Sequence, residues 1–366
     1  MEVTSLKISV DLDDDYRKIL SALREEKKKV SAKYLSDKLG IHERTVRYRL
    51  EKLRKKGLLR PPKIQTYERK LGLGERLLLF QGIPDKEEKL EQVLEELPLF
   101  YYYASTYGRY DGFVAYAMYP LVAPGVVLQI AEEMKACGLV EDFYIFDLVD
   151  YCRKGADVAP LLPDSDWDWD VWTGKVTEIL EEGCDFDLGL EQFPPTVAFK
   201  FKDIKIIQKL VDNPTMTLKE VANQLGLSLA LVHKRVKRLE EEGIIRGIKS
   251  TFNPFDETIS IACFFKSTKH AKEILCGFHN LPYEVSFVLE NDVHYQIVVS
   301  IPPSETNQLL QRLNAFRRYS EEFFIQVVLK PRGKGWTHLL DAYNKDTNSW
   351  EMPIADMLAE VRELAG

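Results

Sequence analysis

The stretch VSAKYLSDKLGIHERTVRYRLEKLRKKGLLR, Val30–Arg60, decides how this chain is read. Tyr34, Leu35 and Leu39 give a short apolar-periodic helix that runs to Gly40. Glycine suits the left-handed position that ends a helix, because it has no Cβ to clash there. After one tight turn a second helix begins, with Val46, Leu50 and Leu53 at i, i+4 and i+7 as its buried stripe. Gly57 closes that helix, and Leu58-Leu59-Arg60 leaves it extended. Two helices joined by a short Gly-containing turn are a helix-turn-helix signature. The outward face of the second helix carries Arg44, Arg47, Tyr48, Lys52 and Lys55, with Thr45 and Arg49 also within reach of a groove. Such a face is what a recognition helix presents to DNA. By itself the stretch is ambiguous, since basic helix pairs also occur in folds that never touch DNA.

Charge sharpens the reading. The chain of 366 residues has a net charge of −7, which argues at first against a nucleic-acid partner. Its distribution reverses that impression: Tyr16–Lys70 carries about +13 and everything after it about −16. A basic module attached to an acidic remainder is a footprint of nucleic-acid binding. The length is enough for two or more domains, and 45% hydrophobic residues is ordinary for a globular protein. No apolar run approaches the roughly 18 residues of a membrane span, and the opening MEVTSLKISVDLDDDY has no secretory character. The five cysteines are odd in number and scattered without a C-x-x-C pair, so neither a zinc site nor a disulfide framework is expected. Reduced thiols fit a cytoplasmic protein. Lys/Glu runs such as Glu25–Lys29 fit a thermophilic, archaeal source.

Outward from the opening stretch, Ser5–Val10 alternates like a short strand, and Asp13-Asp14-Asp15 favours a helix start at Tyr16. Arg60–Tyr67, with Pro61-Pro62, reads as a wing. The next elements are strand Arg76–Ile83, helix Asp85–Leu97, strands Leu99–Thr106 and Gly112–Tyr119, helix Pro124–Gly138 and strand Glu141–Val149. That order, β-α-β-β-α-β, is the ferredoxin-like arrangement. Asp150–Pro195 follows, with the aromatic-acidic run Asp164–Trp172. Its tryptophans are expected to pack a tail onto a neighbouring sheet rather than to form a ligand box.

Then the pattern restarts. Thr196–Phe201 is strand-like and Asp203 opens a helical run. Gly40, Val46, Leu53 and Gly57 find matches at one offset in Gly226, Val232, Leu239 and Gly243, while the first helix matches with a one-residue slip. Strand Ile259–Lys266, helix Ala271–Phe278, strands Glu284–Leu289 and His294–Ser300, helix Pro303–Phe316 and strand Phe323–Leu329 complete the second copy. The chain is a tandem duplication of a unit of roughly 185 residues. The fold class is therefore α+β, two copies of a winged helix-turn-helix plus a ferredoxin-like βαββαβ domain. The expected divisions are 1–72 and 196–256 for the winged helices, 73–150 and 257–331 for the sheet domains, 151–195 for a linker and tail helix, and 332–366 for the C-terminal tail.

These residues resemble the Lrp/AsnC family of transcription regulators. The second unit carries the family phrase in VANQLGLSLALVHKRVKRLEEEGIIRGIKSTFNP, Val221–Pro254, and the first in YLSDKLGIHERTVRYRLEKLRKKGLL with Leu71-Gly72 after the wing. The first unit also has the family's Gly-x-x-Asp turn, Gly108-Arg109-Tyr110-Asp111; the second has Glu290-Asn291-Asp292 instead, shorter and without the glycine. The resemblance implies a sheet domain of RAM type that dimerises and binds a small metabolite, commonly an amino acid. Gly108, Arg109 and Asp111 are then the effector candidates. Family members usually carry one unit per chain, so both halves of the dimer are expected to be fused here as a pseudo-dimer, with two chains pairing further. The partner is double-stranded DNA, with base edges read by Arg44, Arg47 and Tyr48, Thr45 and Arg49 also in the DNA-binding set, and phosphates held by Lys27, Lys28, Lys29, Lys55 and Lys56. Lys52 shares that face. The second unit offers His233, Lys234, Arg235 and Lys237, a weaker set followed by Glu240-Glu241-Glu242.

The competing reading is an enzyme. Siroheme decarboxylases resemble the same family, sometimes as fused pairs, with a degenerate helix-turn-helix. Histidine and arginine would have to converge on a tetrapyrrole, yet the first sheet domain holds no histidine and the second holds His270, His279 and His294. No phosphate-cradling loop, paired catalytic carboxylates or Ser/His/Asp set is visible. Neither a catalytic residue nor a cofactor or metal is expected.

Overall fold

The computed structural model describes residues 13–25, 31–157, 160, 165, 167–255 and 257–366. The strand expected over Ser5–Val10 and the lysines Lys27, Lys28 and Lys29 lie outside those residues. Asp13 starts the first helix, α1 (Asp14–Glu25), by accepting the Tyr16 amide at Oδ1 over 3.1 Å. That bond satisfies one of the donors a helix start leaves bare. Ser31 caps α2 (Ala32–Leu39) and Gly40 ends it at φ +68. On α3 (Glu43–Lys55), Val46, Leu50 and Leu53 are buried against Ile19, Leu23 and Leu35, and Phe252 from the second unit joins this core.

The expected wing differs from the prediction. Among the described residues strand β1 (Lys63–Thr66) has no hairpin partner in its own unit; it pairs antiparallel with Ile245–Lys249 of the second. Arg60 N–H donates to Thr251 O and Asn253 N–H to Leu58 O, which extends the same two-stranded ribbon. The prolines at 61 and 62 exclude helix but say nothing of which edge a strand will find. Next come β2 (Leu73–Gly82), α4 (Glu87–Glu96), β3 (Phe100–Gly108), β4 (Gly112–Pro120), α5 (Val126–Ala136), β5 (Val140–Leu148), β6 (Asp150–Lys154) and α6 (Trp169–Glu182).

The second unit runs through α7 (Phe201–Asp212), α8 (Leu218–Leu225), α9 (Leu229–Glu241), β7 (Ile245–Lys249), β8 (Ile259–Lys266), α10 (Ala271–His279), β9 (Glu284–Asn291) and β10 (His294–Ile301). Then α11 (Thr306–Arg312), α12 (Asn314–Arg317) and β11 (Glu322–Gly333) follow; a 3-10 turn, Thr337–Ala342, leads to β12 (Tyr343–Asn344), β13 (Ser349–Trp350) and α13 (Ile354–Ala365). Two expectations need correction. Thr196–Phe201 joins no strand: Val197 N–H donates singly to Lys70 O, and α7 already begins at Phe201, where Asp203 accepts the Lys200 amide. Pro303–Phe316 is a 3-10 turn and two short helices instead of one.

Each sheet domain has the ferredoxin-like strand order, and the two are joined. The combined sheet of nine strands runs β5-β2-β4-β3-β11-β8-β10-β9-β6. The first and last strands of that order, β5 and β6, are separated in sequence by Val149 alone, so the sheet comes round on itself. The fourth strand of each unit does two jobs. Glu322–Val328 pairs with β8 of its own domain, while Gln326–Gly333 pairs with β3 of the other. In the first unit β5 pairs at home with β2, and its continuation β6 pairs with β9 across the junction. Leu77, Leu79, Phe146, Ala262, Phe264 and Val288 fill the space between the two sheet halves.

The tails are exchanged too. Trp169 and Trp172 of α6 pack with Tyr283, Phe278 and Phe316 in the core of the second sheet domain, and Trp172 Nε1 donates to Gly277 O at 3.1 Å. Met357 and Val361 of α13 are buried in the core of the first, beside Leu90, Val93 and Ile130. The aromatic run is thus a packing device, each tail covering the other unit.

Candidate nucleic-acid interface

Helix α3 is held by its apolar stripe, so its polar residues sort by which edge of that stripe they border. Arg44, Arg47, Tyr48 and Lys55 are exposed, Thr45 and Lys52 are half-buried. Tyr48 is 63% exposed, a large aromatic in water that needs an explanation. Arg47 pairs with Glu43 and Lys55 with Glu51 one turn away, each at the surface, where such pairs cost little to open. The Glu51 side chain beside Lys55 raises the ammonium's pKa, which keeps Lys55 a cation at any physiological pH.

Arg49 is placed differently. Its guanidinium reaches back to Asp13 and, at 3.1 Å, to Asp15, and lies 4.6 Å from the centre of the Tyr16 ring. The Asp13 hydrogen bond lifts its pKa and lowers that of Asp13. Arg235 does the same in the second unit, 2.8 Å from the buried Asp203. Both arginines pin the third helix to the first, so they leave the groove-facing set. The signal was present in the sequence: Arg49 is three residues after Val46 and four before Leu53, which puts it on the buried stripe's edge. Conversely, Arg54 was passed over and is exposed on α3.

On α9, His233, Lys234 and Lys237 are exposed, with Lys237 3.5 Å from Glu241, and Leu229 is exposed at the helix start. The second module is seated on the rest of the chain. Its core includes Leu71, Leu73, Leu339, Leu340 and Trp350, and Arg246 forms a two-pronged pair with Asp150 beneath it while lying 3.6 Å from the centre of the Tyr67 ring.

The Gly108–Asp111 turn is brought against the other unit. Gly108 N–H donates to Asp111 Oδ1, and Asp111 N–H to Gln81 Oε1. Fully buried Gln326 of β11 fills the turn: its amide donates to Thr106 Oγ1 and Tyr110 O, and its carbonyl accepts from Tyr110 N. Arg109 lies 4.9 Å from the centre of the Phe324 ring. Nothing in the local sequence announces Gln326 as the partner of this turn. At the corresponding junction Glu290 accepts from Asp147 N, and His294 lies between Glu290 and Tyr144, whose hydroxyl is 3.1 Å from Nε2. Among the described residues no group of His, Cys, Asp or Glu is arranged to hold a metal, and no helix is long and apolar enough to cross a membrane.

The class is a winged helix-turn-helix protein with ferredoxin-like partner domains, present twice in one chain. A winged helix-turn-helix DNA-binding model matches residues 202–246 and a helix-turn-helix domain model matches 16–65. HTH-type transcriptional regulator FL11 of Pyrococcus furiosus is 26% identical over 156 residues, 42% of this chain and 94% of that protein. Regulatory protein AsnC of Escherichia coli is 28% identical over 103 residues, 27% of this chain and 67% of its own. HTH-type transcriptional regulator Ptr1 of Methanocaldococcus jannaschii reaches 35% over 71 residues, which span 18% of this chain and 48% of Ptr1. With these matches the chain is similar to Lrp/AsnC-type regulators. The siroheme decarboxylase NirDL shares its fold along nearly the whole length: TM-score 0.55, 14% identity, 90% of this chain and 97% of that one.

Proposed function

We propose that this protein is a DNA-binding transcription regulator in which one chain does the work of a dimer. The observation that carries the reading is the exposed set Arg44, Arg47, Tyr48 and Lys55 on a helix whose opposite face is locked in a core. Arginine offers a planar fork for guanine edges and lysine a point charge for phosphates. The names of FL11, AsnC and Ptr1, all regulators, support it. A doubled chain would set its two helices toward successive major grooves, about 34–36 Å apart. Because α3 and α9 differ, the preferred site would be an imperfect palindrome with a stronger half under α3. Further pairing of chains and a cytoplasmic location belong to the same reading. A small metabolite at Gly108, Arg109 and Asp111 would have to displace the Gln326 side chain. Genome-wide occupancy tests the proposal: discrete peaks sharing an unequal two-part motif are expected, and a flat profile would sink it.

A second reading has its own support in the full-length fold match to NirDL, one of whose structures holds an iron-uroporphyrin III analogue. Here the chain would act on a tetrapyrrole. Adding siroheme and recording its absorption separates the two, since a regulator leaves the spectrum unchanged.

A further inference from the structure

The tail helix α6 ends at Gly183, whose φ of +84 turns the chain toward α10 of the second unit. The next residue, Cys184, donates from Sγ to Lys272 O across 3.9 Å. Side chains on a helix lean toward its N-terminus, over the preceding turn. The side chain that overlies the Lys272 carbonyl therefore belongs to Cys276, one turn further along α10, and the Cys184 and Cys276 thiols share a hydrogen bond. Asn280 steadies Cys276 from the far side, with Nδ2 donating to its Sγ at 3.7 Å and to its carbonyl oxygen at 2.8 Å.

The two helices that bring these thiols together are closely packed. Trp172 Nε1 donates to Gly277 O, and a Cβ added at Gly277 would come within 3.4 Å of Val176 Cγ2. Both cysteines are free, Cys184 half-buried and Cys276 buried. The other three stand on different elements, Cys137 after α5, Cys152 on β6 and Cys263 on β8.

We propose that Cys184 and Cys276 are a redox couple: a disulfide oxidant such as oxidised glutathione closes them into a disulfide that fastens the first unit's tail to the second unit's sheet domain. The sulfur of Cys184, the more exposed, attacks one glutathione sulfur and expels a glutathione thiolate. Cys276 then attacks the Cys184 sulfur of this mixed disulfide and expels the second glutathione. Two electrons pass to the oxidant, and the two thiol protons leave on two molecules of reduced glutathione. Burial, the neighbouring Cys276 and the Glu273 carboxylate push the Cys184 thiol up to about 11, so the first attack is slow at neutral pH. A thiolate so poorly stabilised also makes a bond that resists reduction once closed.

Incubating the folded full chain with oxidised glutathione, alkylating the remaining thiols and mapping the peptides by mass spectrometry tests this without reference to DNA. One intramolecular link, Cys184 to Cys276, is expected, and dithiothreitol should reverse it. Cys184→Ser should abolish the link; at a half-buried position the exchange of sulfur for oxygen should leave the melting curve like the parent's. Cys276→Ser should abolish it too and leave glutathione on Cys184. In the parent, a glutathione adduct that persists on Cys184, a link from either cysteine to a different partner, or no change at either position would each overturn the proposal.

Discussion

Arg235 Nη1 lies 2.8 Å from Asp203 Oδ1, tying the third helix of the second winged unit to its first. Asp203 is 1% exposed and also accepts the Lys200 amide. Removing the guanidinium strands a buried carboxylate, so Arg235→Ala should cost about 3 kcal/mol or more of stability. Urea denaturation measures it. Arg49→Ala, whose partners are more exposed, should cost clearly less; equal losses would contradict the placement.

Arg47→Ala is expected to behave in the opposite way. Its pair with Glu43 is at the surface, so stability should change by less than about 1 kcal/mol. Affinity for a preferred duplex should fall by about 1–3 kcal/mol with relaxed base preference if the side chain reads a base edge. Lys55→Ala should weaken specific and random duplexes alike and lower the salt slope. Fluorescence anisotropy at several salt concentrations separates the two behaviours.

Glu75 should make stability fall as pH rises. Burial pushes its carboxyl up from 4.5 to about 8, against the opposing hydrogen bond from Tyr101. The folded state therefore keeps a proton that the unfolded chain releases. The stabilisation is whole below pH 4.5 and drains away as pH climbs toward 8, by a few kcal/mol. Glu68, raised by the same cause, adds to the slope. Glu75→Gln should flatten most of it; an unchanged slope in urea melts across that window would remove the assignment.

Gly108→Ala should loosen the junction between the units. Gly108 sits at φ +150, and an added Cβ would meet Ile325 O and Gln326 Oε1 well inside contact distance. A loss of at least about 2 kcal/mol follows from the strained backbone and the broken Gln326 network. Gln326→Ala should lose a comparable amount, leaving Tyr110 N–H and Thr106 short of partners. Thermal melts of both variants provide the comparison.

Much of this was visible in the residues because it is local. The stripe Val46, Leu50, Leu53, the glycines ending α2 and α8, and the repeat at one offset are short-range signals, and a helix reports its own face. The alternation of the strands gave the two sheet domains in the same way. What escaped were choices between equivalent edges. The hydrophobic pattern of β1 is indifferent to whether its neighbour lies in the same wing or in the other unit. Trp172 announced burial but not in whose core. Of the candidate site, the exposed residues of α3 were readable, while the inward turn of Arg49 needed its position on the stripe to be weighed against its charge.

The crossing of β11 into the first sheet has a consequence for synthesis. Thr106 Oγ1 donates to Val327 O across 221 residues of chain. Until that late strand emerges from the ribosome, the outer edge of β3 offers unpaired peptide groups to any strand nearby. The first half must wait, unfinished and open to mispairing, for the second to close it. A gene split at the repeat boundary would therefore yield two pieces that each leave a strand edge without its partner.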